Sequence, residues 1–202
     1  VWAMGEQLKC GDFVPFVFEH KFNMEVGDGD RKQLMSGTID RVDICENGTD
    51  VYVRIIDYKT GKKDFNIVKT YYGIDIQLMV YMEAAMKLVA KMRPGKNVIP
   101  AGVFYYNISD PIVSATTESA EEIEDKIKGE LRLKGMVNSD KDIAEKMDNT
   151  GGTSLNIPVS RKADGGFDSR RSKVMNTEQF NMLGRFVDVR AVDTADRIAG
   201  GD

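Results

Sequence analysis

The sequence predicts an α/β fold, in which a β-sheet that contains an antiparallel hairpin packs against helices. Two apolar segments rich in β-branched residues, Leu34–Cys45 and Val51–Lys59, flank the polar, glycine-containing segment Glu46–Asp50, and this is the pattern of a β-hairpin. Apolar residues then recur at helical spacing over Gly73–Met92, and a further strand pattern follows at Val98–Ile108. Strands and helices therefore occur within one continuous stretch of the chain.

The segments on either side of this region extend the same pattern. Asp12–Glu25 predicts a strand that leads into a turn at Gly27–Asp30. Beyond the strand that ends at Ile108 we expect, in chain order, helices over Glu118–Leu133 and Lys141–Met147, a turn at Gly151–Ser154, a short strand over Leu155–Ser160, and a helix from its N-cap Thr177 to about Ile198.

Length and composition are those of one globular domain. The chain has 202 residues, of which 42% are hydrophobic and 30% charged, and this size supports a substantial core. The formal net charge of −4 argues against a protein that coats nucleic acid, which would be basic. No apolar run approaches the ~20 residues that span a membrane, and no secretory signal opens the sequence. We expect a single cytoplasmic domain, residues 1–202, excised from a longer polypeptide, because the chain begins at Val1 rather than at Met.

The hairpin brings three charged residues to one face. Side chains alternate along a strand, so Asp57 and Lys59 point the same way. A two-residue loop at Asn47–Gly48 would place Asp40 opposite Ile55, and a four-residue loop would place Asp40 directly opposite Asp57. Either loop puts Asp40, Asp57 and Lys59 on one face, within roughly 5–8 Å of each other. A loop of odd length would separate them, and we expect an even one.

Two carboxylates at the end of an apolar strand face require a compensating charge. Like charges on neighbouring strands repel each other, and a half-buried carboxylate must be paired, protonated or bound to a metal. Lys59 can balance one charge and a divalent cation the other. Hard oxygen ligands that are open to solvent on one side suit Mg²⁺ or Mn²⁺. The sequence therefore predicts a metal site between Asp40 and Asp57.

Three motifs in this order resemble the PD-(D/E)xK nuclease superfamily. They are G-T-I-D-R-V-D at residues 37–43, I-I-D-Y-K-T-G at residues 55–61 and Q-L-M-V-Y at residues 77–81. Within the superfamily they look most like the RecB-like branch, and specifically the C-terminal nuclease domain of AddB-type subunits of bacterial helicase–nucleases. The resemblance extends from about Phe13 to the end of the chain. It implies a restriction-endonuclease-like α/β fold, with a central mixed sheet, a hairpin that carries the site, and flanking helices.

The resemblance also implies a catalytic and metal-binding set. Asp40, Asp57 and Lys59 would be catalytic, and Asp40 and Asp57 would hold the metal together with the backbone carbonyl of Tyr58. We expect Lys59 to position water and stabilise charge, since opposing effects leave the direction of its pKa shift undecided. Glu19 lies on the strand before the first motif, where a glutamate of RecB-like nucleases lies near the metal. A simple edge-strand charge is the alternative for Glu19.

A second group of residues is expected to contact DNA. Gln77 and Tyr81 lie one helical turn apart, and the Q-x-x-x-Y motif of the resembled family lies beside the active site and positions DNA or catalytic groups. Lys62 and Lys63 belong to a basic run that adjoins the site, so they are candidate phosphate contacts.

The chain departs from the resembled family in its histidine and its cysteines. RecB-like enzymes often have a metal-coordinating histidine on a helix upstream of the Glu19 strand. The single histidine, His20, instead adjoins Glu19 and points to the opposite face. We therefore expect either that this helix is missing or that the role of its histidine is not filled. Proteins of the AddB type carry an iron–sulfur cluster. Cys10 and Cys45 alone do not supply its ligands, so such a cluster is possible only in a longer parent protein, and we expect reduced thiols here.

The function implied by the resemblance is a Mg²⁺- or Mn²⁺-dependent DNA exonuclease domain. It would work within a helicase–nuclease complex, with an AddA-like partner subunit, in double-strand break end processing and recombinational repair. The chain has no phosphate-binding loop of the G-x-x-x-x-G-K-[ST] type, so it is not itself the ATP-driven motor. Two alternatives stay open: a catalytically silent nuclease-like domain that binds DNA or scaffolds a partner, and a stand-alone exonuclease of the Cas4 type, which would need cluster cysteines.

Overall fold

The computed structural model describes residues 2–26, 32–108 and 119–201. The strands in this part of the chain are β1 (Val14–Val26), β2 (Gln33–Asn47), β3 (Asp50–Lys59), β4 (Asn97–Asn107), β5 (Lys134–Asn138) and β6 (Val174–Met175). The helices are α1 (Trp2–Lys9), α2 (Ile67–Tyr71), α3 (Gln77–Met92), α4 (Ala120–Glu130), α5 (Lys141–Met147) and α6 (Thr177–Gly200). The turn expected at Gly27–Asp30 lies outside the described residues.

These strands form one mixed sheet, in which they lie side by side in chain order. β1, β2 and β3 are antiparallel neighbours, and β4 then runs parallel to β3. β5 is antiparallel to β4, and β6 is parallel to β5. A parallel pair needs a long crossover connection, which α2 and α3 supply between β3 and β4. The predicted α/β fold with a central mixed sheet, a hairpin and flanking helices is therefore confirmed.

The hairpin between β2 and β3 closes with a tight turn at Gly48 and Thr49, flanked by the pair Asn47 and Asp50. Gly48 has a φ of 61°, a left-handed conformation that glycine adopts without a steric penalty. The two-residue loop therefore lies one position further along the chain than the Asn47–Gly48 alternative. Gly48 is therefore the first residue of the loop rather than the second.

The register of this hairpin determines which acids lie side by side. The ladder runs from the turn to Arg41 opposite Ile56. The next position in the same register places Asp40 beside Asp57. Asp40 opposite Asp57 is the pairing that we predicted for a hairpin with a four-residue loop. The structure reaches the same pairing with a two-residue loop at Gly48 and Thr49.

The sheet carries an apolar core on each face. The first core lies against α3 and α6 and includes Val42, Val53, Leu78, Val89 and Phe180. The second core lies on the opposite face, where α5 contributes to it, and includes Phe13, Cys45, Phe104, Ile143 and Val159. Among the described helices, none is long and apolar enough to cross a membrane.

The helix expected over Gly73–Met92 begins only at Gln77. A separate short helix, α2, precedes it, and the side chain of Asn66 caps α2 by accepting hydrogen bonds from two backbone N–H groups. Gly73 has a φ of 74°, which is incompatible with the interior of a right-handed helix. The prediction was wrong here because Ile74 fits the apolar spacing of α3 although it lies in the turn before that helix.

Two other predictions differ from the structure, one at the start of α6 and one in the segment before β6. The N-cap of α6 is Asn176 rather than Thr177, because Asn176 and Gln179 exchange the reciprocal hydrogen bonds of a capping box. Residues Leu155–Ser160 do not form a strand, and Ser160 makes only an isolated bridge. Pro158 interrupts this segment and has no backbone donor for a ladder.

A helix does precede the Glu19 strand, so the alternative that this helix is missing is wrong. α1 spans Trp2–Lys9 and precedes β1, but it contains no histidine. Its eight residues are too short for a clear periodic pattern in the sequence. Gln7 of α1 is buried and lies 3.4 Å from Arg41 of β2, so the helix is connected to the hairpin.

Gly135 permits the close approach of β5 to β4. A Cβ at Gly135 would overlap the carbonyl oxygen of Val103 and lie 2.9 Å from the Cα of Phe104. Because both are backbone atoms, the strands would have to separate. We expect Gly135→Ala to lower the free energy of unfolding by about 2–3 kcal/mol, measured by urea denaturation. The matched control is Gly129→Ala in α4, where the new Cβ meets no atom within 4 Å; equal effects of the two substitutions would contradict this packing.

The contact between α3 and α6 predicts a pH-dependent stability. Burial, and secondly the neighbouring Glu83, raise the pKa of Asp188 to about 7, while Lys87 opposes the shift. A pKa raised in the folded state gives stability that is complete below about pH 4 and is lost as the pH rises through about 7. Between pH 5 and pH 8 we expect the free energy of unfolding of the wild type to fall by about 1–2 kcal/mol more than that of Asp188→Asn, which has no carboxyl group to titrate at this position. The measurement is the free energy of unfolding of both proteins at each pH. Identical pH profiles for the wild type and the variant would contradict this assignment.

Candidate active site

Asp57 is a buried carboxylate at the end of β3, with an exposed fraction of 2%. Its Oδ2 lies 2.5 Å from Nζ of Lys59, but within the described residues this oxygen has no hydrogen bond of acceptable geometry. Burial raises the pKa of Asp57, the ammonium of Lys59 lowers it, and the charge of Asp40 raises it further. The site therefore holds an acid whose negative charge is only partly compensated.

Asp40 reaches across from β2 to the same end of β3. Its Oδ2 accepts a hydrogen bond of 2.7 Å from the backbone N–H of Tyr58, the residue between Asp57 and Lys59. This hydrogen bond uses only one of the two carboxylate oxygens of Asp40. The structure thus brings Asp40, Asp57 and Lys59 together at one end of the hairpin, although their role in catalysis stays a prediction.

Glu19 lies on β1 at the level of Asp40, since its neighbours Phe18 and His20 pair with Arg41 and Ile39 of β2. Its side chain is exposed. Among the described non-glycine residues it alone has a positive φ, 47°, a conformation that costs about 1–2 kcal/mol. Such strain concentrates at functional positions. Glu19 thus lies on the strand next to Asp40 and is exposed.

The neighbourhood of Lys59 contains three residues that form a small polar network. The hydroxyl of Tyr105 donates to Asp75 at 2.8 Å, and Nζ of Lys63 lies 3.1 Å from the same carboxylate oxygen. Both Lys63 and Lys59 approach the ring of Tyr105, at 4.5 and 5.7 Å from its centroid. Lys63 therefore points into the site, whereas Lys62 is exposed.

Tyr105 holds its phenol in the protonated form. It lies on β4 in register with Asp57 and is fully buried. Burial raises the pKa of Tyr105, and the charges of Asp75 and Asp57 raise it further. A neutral phenol donates a hydrogen bond without adding charge, so Tyr105 fixes Asp75 next to the two lysines. Sequence reasoning missed Tyr105 and Asp75, because neither belongs to a recognised motif.

Gln77 and Tyr81 bind each other on the first turns of α3. Nε2 of Gln77 donates to the hydroxyl of Tyr81 at 2.9 Å, and the Tyr81 ring lies edge-on to Phe22 of β1 at 5.7 Å. A Cβ at Gly37 would lie 3.0 Å from Phe22 and 3.3 Å from Tyr81. The glycine of the first motif therefore leaves room for these two rings.

The opposite face of the hairpin carries a buried ion network. Arg41 donates to both carboxylate oxygens of Asp43, at 2.6 and 2.8 Å, and Arg54 donates to Asp43 at 2.9 Å. The guanidinium of Arg54 also lies 4.9 Å from the ring centroid of Phe13. These contacts tie β2 to β3 directly behind the acids, so removing Asp43 would leave two buried cations unpaired.

The donor set fits a magnesium-type ion. Within the described residues, no group of three or more His, Cys, Asp and Glu side chains converges as a metal cage. Mg²⁺ characteristically uses one or two carboxylates and completes its shell with water and phosphate. Asp40 and Asp57 supply two such carboxylates, and within the described residues the buried Oδ2 of Asp57 contacts the ammonium of Lys59 but has no hydrogen bond of acceptable geometry. The residues present are therefore chemically suitable for Mg²⁺ or Mn²⁺.

Comparison with known proteins identifies the family of the chain. Residues 1–177 match the PD-(D/E)XK nuclease superfamily. The chain is similar to one subunit of an ATP-dependent helicase/deoxyribonuclease, with 35% identity in Clostridium botulinum, 35% in Thermoanaerobacter sp. and 37% in Caldanaerobacter subterraneus subsp. tengcongensis. Each alignment covers 100% of this chain and 18% of the relative, so the chain spans about a fifth of the length of the curated relatives it matches. The resemblance drawn from the three motifs is confirmed, and the chain belongs to the PD-(D/E)XK nuclease superfamily.

Proposed function

We propose that this chain is a metal-dependent deoxyribonuclease domain that hydrolyses phosphodiester bonds. The observation that carries the proposal is the convergence of Asp40, Asp57 and Lys59, with the buried Asp57 carboxylate 2.5 Å from the lysine. Structural ion pairs are seldom left partly uncompensated in a buried position, because the desolvation cost is high. A partly compensated acid at the rim of a sheet supports a site that receives a cation.

The roles of the residues follow from their positions. Asp40 and Asp57, together with the backbone carbonyl of Tyr58, would hold Mg²⁺ or Mn²⁺. When bound, the ion polarises a phosphoryl oxygen and lowers the pKa of a water molecule. Lys59 keeps 26% of its side chain exposed, so its ammonium can donate to a water or to the charged phosphate at the mouth of the site.

The residues around Lys59 position it for this role. Lys63 and Asp75 form an ion pair of 3.1 Å beside the Tyr105 ring, so a second positive charge is fixed close to the first. These two cations would favour the binding of an anionic phosphodiester once a metal ion offsets the negative charge of Asp40 and Asp57. Gln77 and Tyr81 lie on the neighbouring helix and are proposed to position the DNA strand.

The wider assignment combines the names of the relatives, which give a helicase and deoxyribonuclease subunit, with what the resemblance of the three motifs implies. We propose that residues 1–202 are one nuclease domain of a longer helicase–nuclease subunit, acting as an exonuclease in double-strand break end processing and recombinational repair. An AddA-like subunit would be its partner, and the cytoplasm its compartment. An iron–sulfur cluster would belong only to the longer protein, since Cys45 is buried in the second core and the two cysteines do not form a cluster-binding set.

One observation supports a catalytically silent, DNA-binding or scaffolding domain as the second candidate. α1 lies upstream of β1 but contributes no histidine, and within the described residues neither Glu19 nor any other acid or histidine joins Asp40 and Asp57 in a group of three metal ligands. Asp40 and Asp57 alone would then form a weak metal site. Activity measurements separate the two candidates.

The direct test is cleavage of labelled single- and double-stranded DNA with Mg²⁺ or Mn²⁺, compared with EDTA. We expect metal-dependent cleavage by the chain and a loss of about 100-fold or more in Lys59→Ala, the size typical of removing one charge-stabilising donor. Asp57→Asn should lose metal-dependent cleavage as well. The control is Lys91→Ala, an exposed lysine on α3 away from the site, which should cleave at the wild-type rate.

Two results of this test would contradict the proposal. Metal-dependent cleavage that survives Lys59→Ala unchanged would remove the catalytic assignment of that residue. Absence of cleavage by the chain and by the full-length parent protein, with the fold intact by circular dichroism, would favour the scaffold function.

A further inference from the structure

We propose that an aromatic platform, formed by Tyr71, Tyr72 and Phe186, stacks with an unpaired base of single-stranded DNA next to the candidate active site. The inference rests on the proposed nuclease function and assigns a strand-positioning role to residues outside the three motifs. Tyr72 would supply the exposed ring, and Tyr71 and Phe186 would support it.

The rings of the platform are arranged before any ligand is bound. Tyr71 stacks on Phe186 of α6 with ring centroids 5.0 Å apart and planes 2° from parallel. Tyr72 lies at 81° to Tyr71, at 5.4 Å. Despite these contacts, Tyr71 is 57% and Tyr72 63% exposed. Large aromatic side chains with this exposure indicate a binding surface rather than core.

The platform is fixed to the candidate site through buried hydrogen bonds. Thr70, fully buried at the end of α2, donates its hydroxyl to the backbone carbonyl of Asp75 at 2.9 Å. Asp75 in turn binds Tyr105 and Lys63. Since Asp75 follows Tyr72 by three residues, their Cα atoms are separated by at most about 11 Å. A strand that contacts Tyr72 can therefore reach Lys63 and the acids beyond it.

The chemistry around the platform favours a nucleic acid strand. Lys62 and Lys69 are exposed on the same segment as the tyrosines, and Arg190 lies 5.8 Å from the ring centroid of Phe186. Exposed aromatic faces interleaved with cations are the features of surfaces that bind single strands, because bases stack on the rings while cations contact the phosphates. A base within a duplex is already stacked on both faces, so the platform would select unpaired DNA.

The patch also includes aliphatic side chains. Ile67, Val68 and Ile74 are exposed beside the tyrosines, by 45%, 58% and 74%. An aliphatic patch could instead be covered by another protein segment. The adjacent lysines distinguish this surface from such an interface, because interface cores are depleted in lysine although they are enriched in tyrosine. Docking of a protein segment is therefore an outcome that the test must detect.

The test is fluorescence anisotropy of the chain with a labelled 20-nucleotide thymidine strand in EDTA, where no cleavage occurs, and with an abasic strand of equal length. We expect the wild type to bind the thymidine strand more tightly than the abasic strand. Tyr72→Ala should weaken binding of the thymidine strand by about tenfold, within the range of one base–aromatic contact. It should leave binding of the abasic strand unchanged.

Two matched variants control for the ring and for the exposed surface. Tyr72→Phe keeps the aromatic face and should bind the thymidine strand as the wild type does. Ile198→Ala removes an equally exposed apolar side chain, 72% exposed, near the end of α6, and should also bind like the wild type. Thermal unfolding of each variant verifies that the fold is retained. We expect Tyr72→Ala to retain it, because the Tyr72 side chain is mostly exposed.

Three results would overturn the platform: no preference of the wild type for the thymidine strand, equal affinities of wild type and Tyr72→Ala, or an equal loss on both strands. The last result would assign the patch to docking of a protein segment or to local structure. Failure of the platform can be distinguished from failure of the proposed nuclease function. Tyr72-dependent binding without metal-dependent cleavage would retain the platform and remove the nuclease function, and metal-dependent cleavage with strand binding that does not depend on Tyr72 would do the opposite.

Discussion

The burial of one carboxylate beside a second acid and a lysine is the constraint on which the site depends. Asp57 is buried at the end of β3, Asp40 is fixed beside it by the Tyr58 backbone, and Lys59 supplies the nearest positive charge. In water these groups would be solvated separately, and the hairpin instead forces them together in a region of low dielectric constant. A divalent cation would relieve the remaining repulsion, which gives the arrangement its proposed function.

The rest of the fold holds this arrangement in place from several sides. Behind the acids, Asp43 is bound by Arg41 and Arg54, so the two strands cannot slide past each other without unpairing buried charges. Beside them, the crossover places Asp75 next to Tyr105 on the parallel strand β4. When neighbouring side chains lock the rotamers of catalytic groups, and those groups lie on strands, the site keeps the geometry that catalysis requires.

The sequence is most informative where structure depends on local pattern. Alternation along the hairpin predicts that Asp57 and Lys59 share a face, and an even loop places Asp40 with them; a slip of one residue would have separated them. The exact turn was not predictable, because Asn47–Gly48 and Gly48–Thr49 both fit a tight loop. The contact of Tyr105 with Asp75 was missed because it depends on how the crossover returns to the sheet, and residues 30 positions apart in sequence give no local signal of it.

The most direct measurement is a crystal structure of the chain with Mn²⁺, with the ion located by its anomalous scattering. The account predicts one peak at the end of the hairpin, with oxygens of both Asp40 and Asp57 at about 2.1 Å, as expected for a hard cation with carboxylate ligands. A peak that contacts only one of these acids, or a peak bound elsewhere on the chain while this end of the hairpin remains without metal, would contradict it.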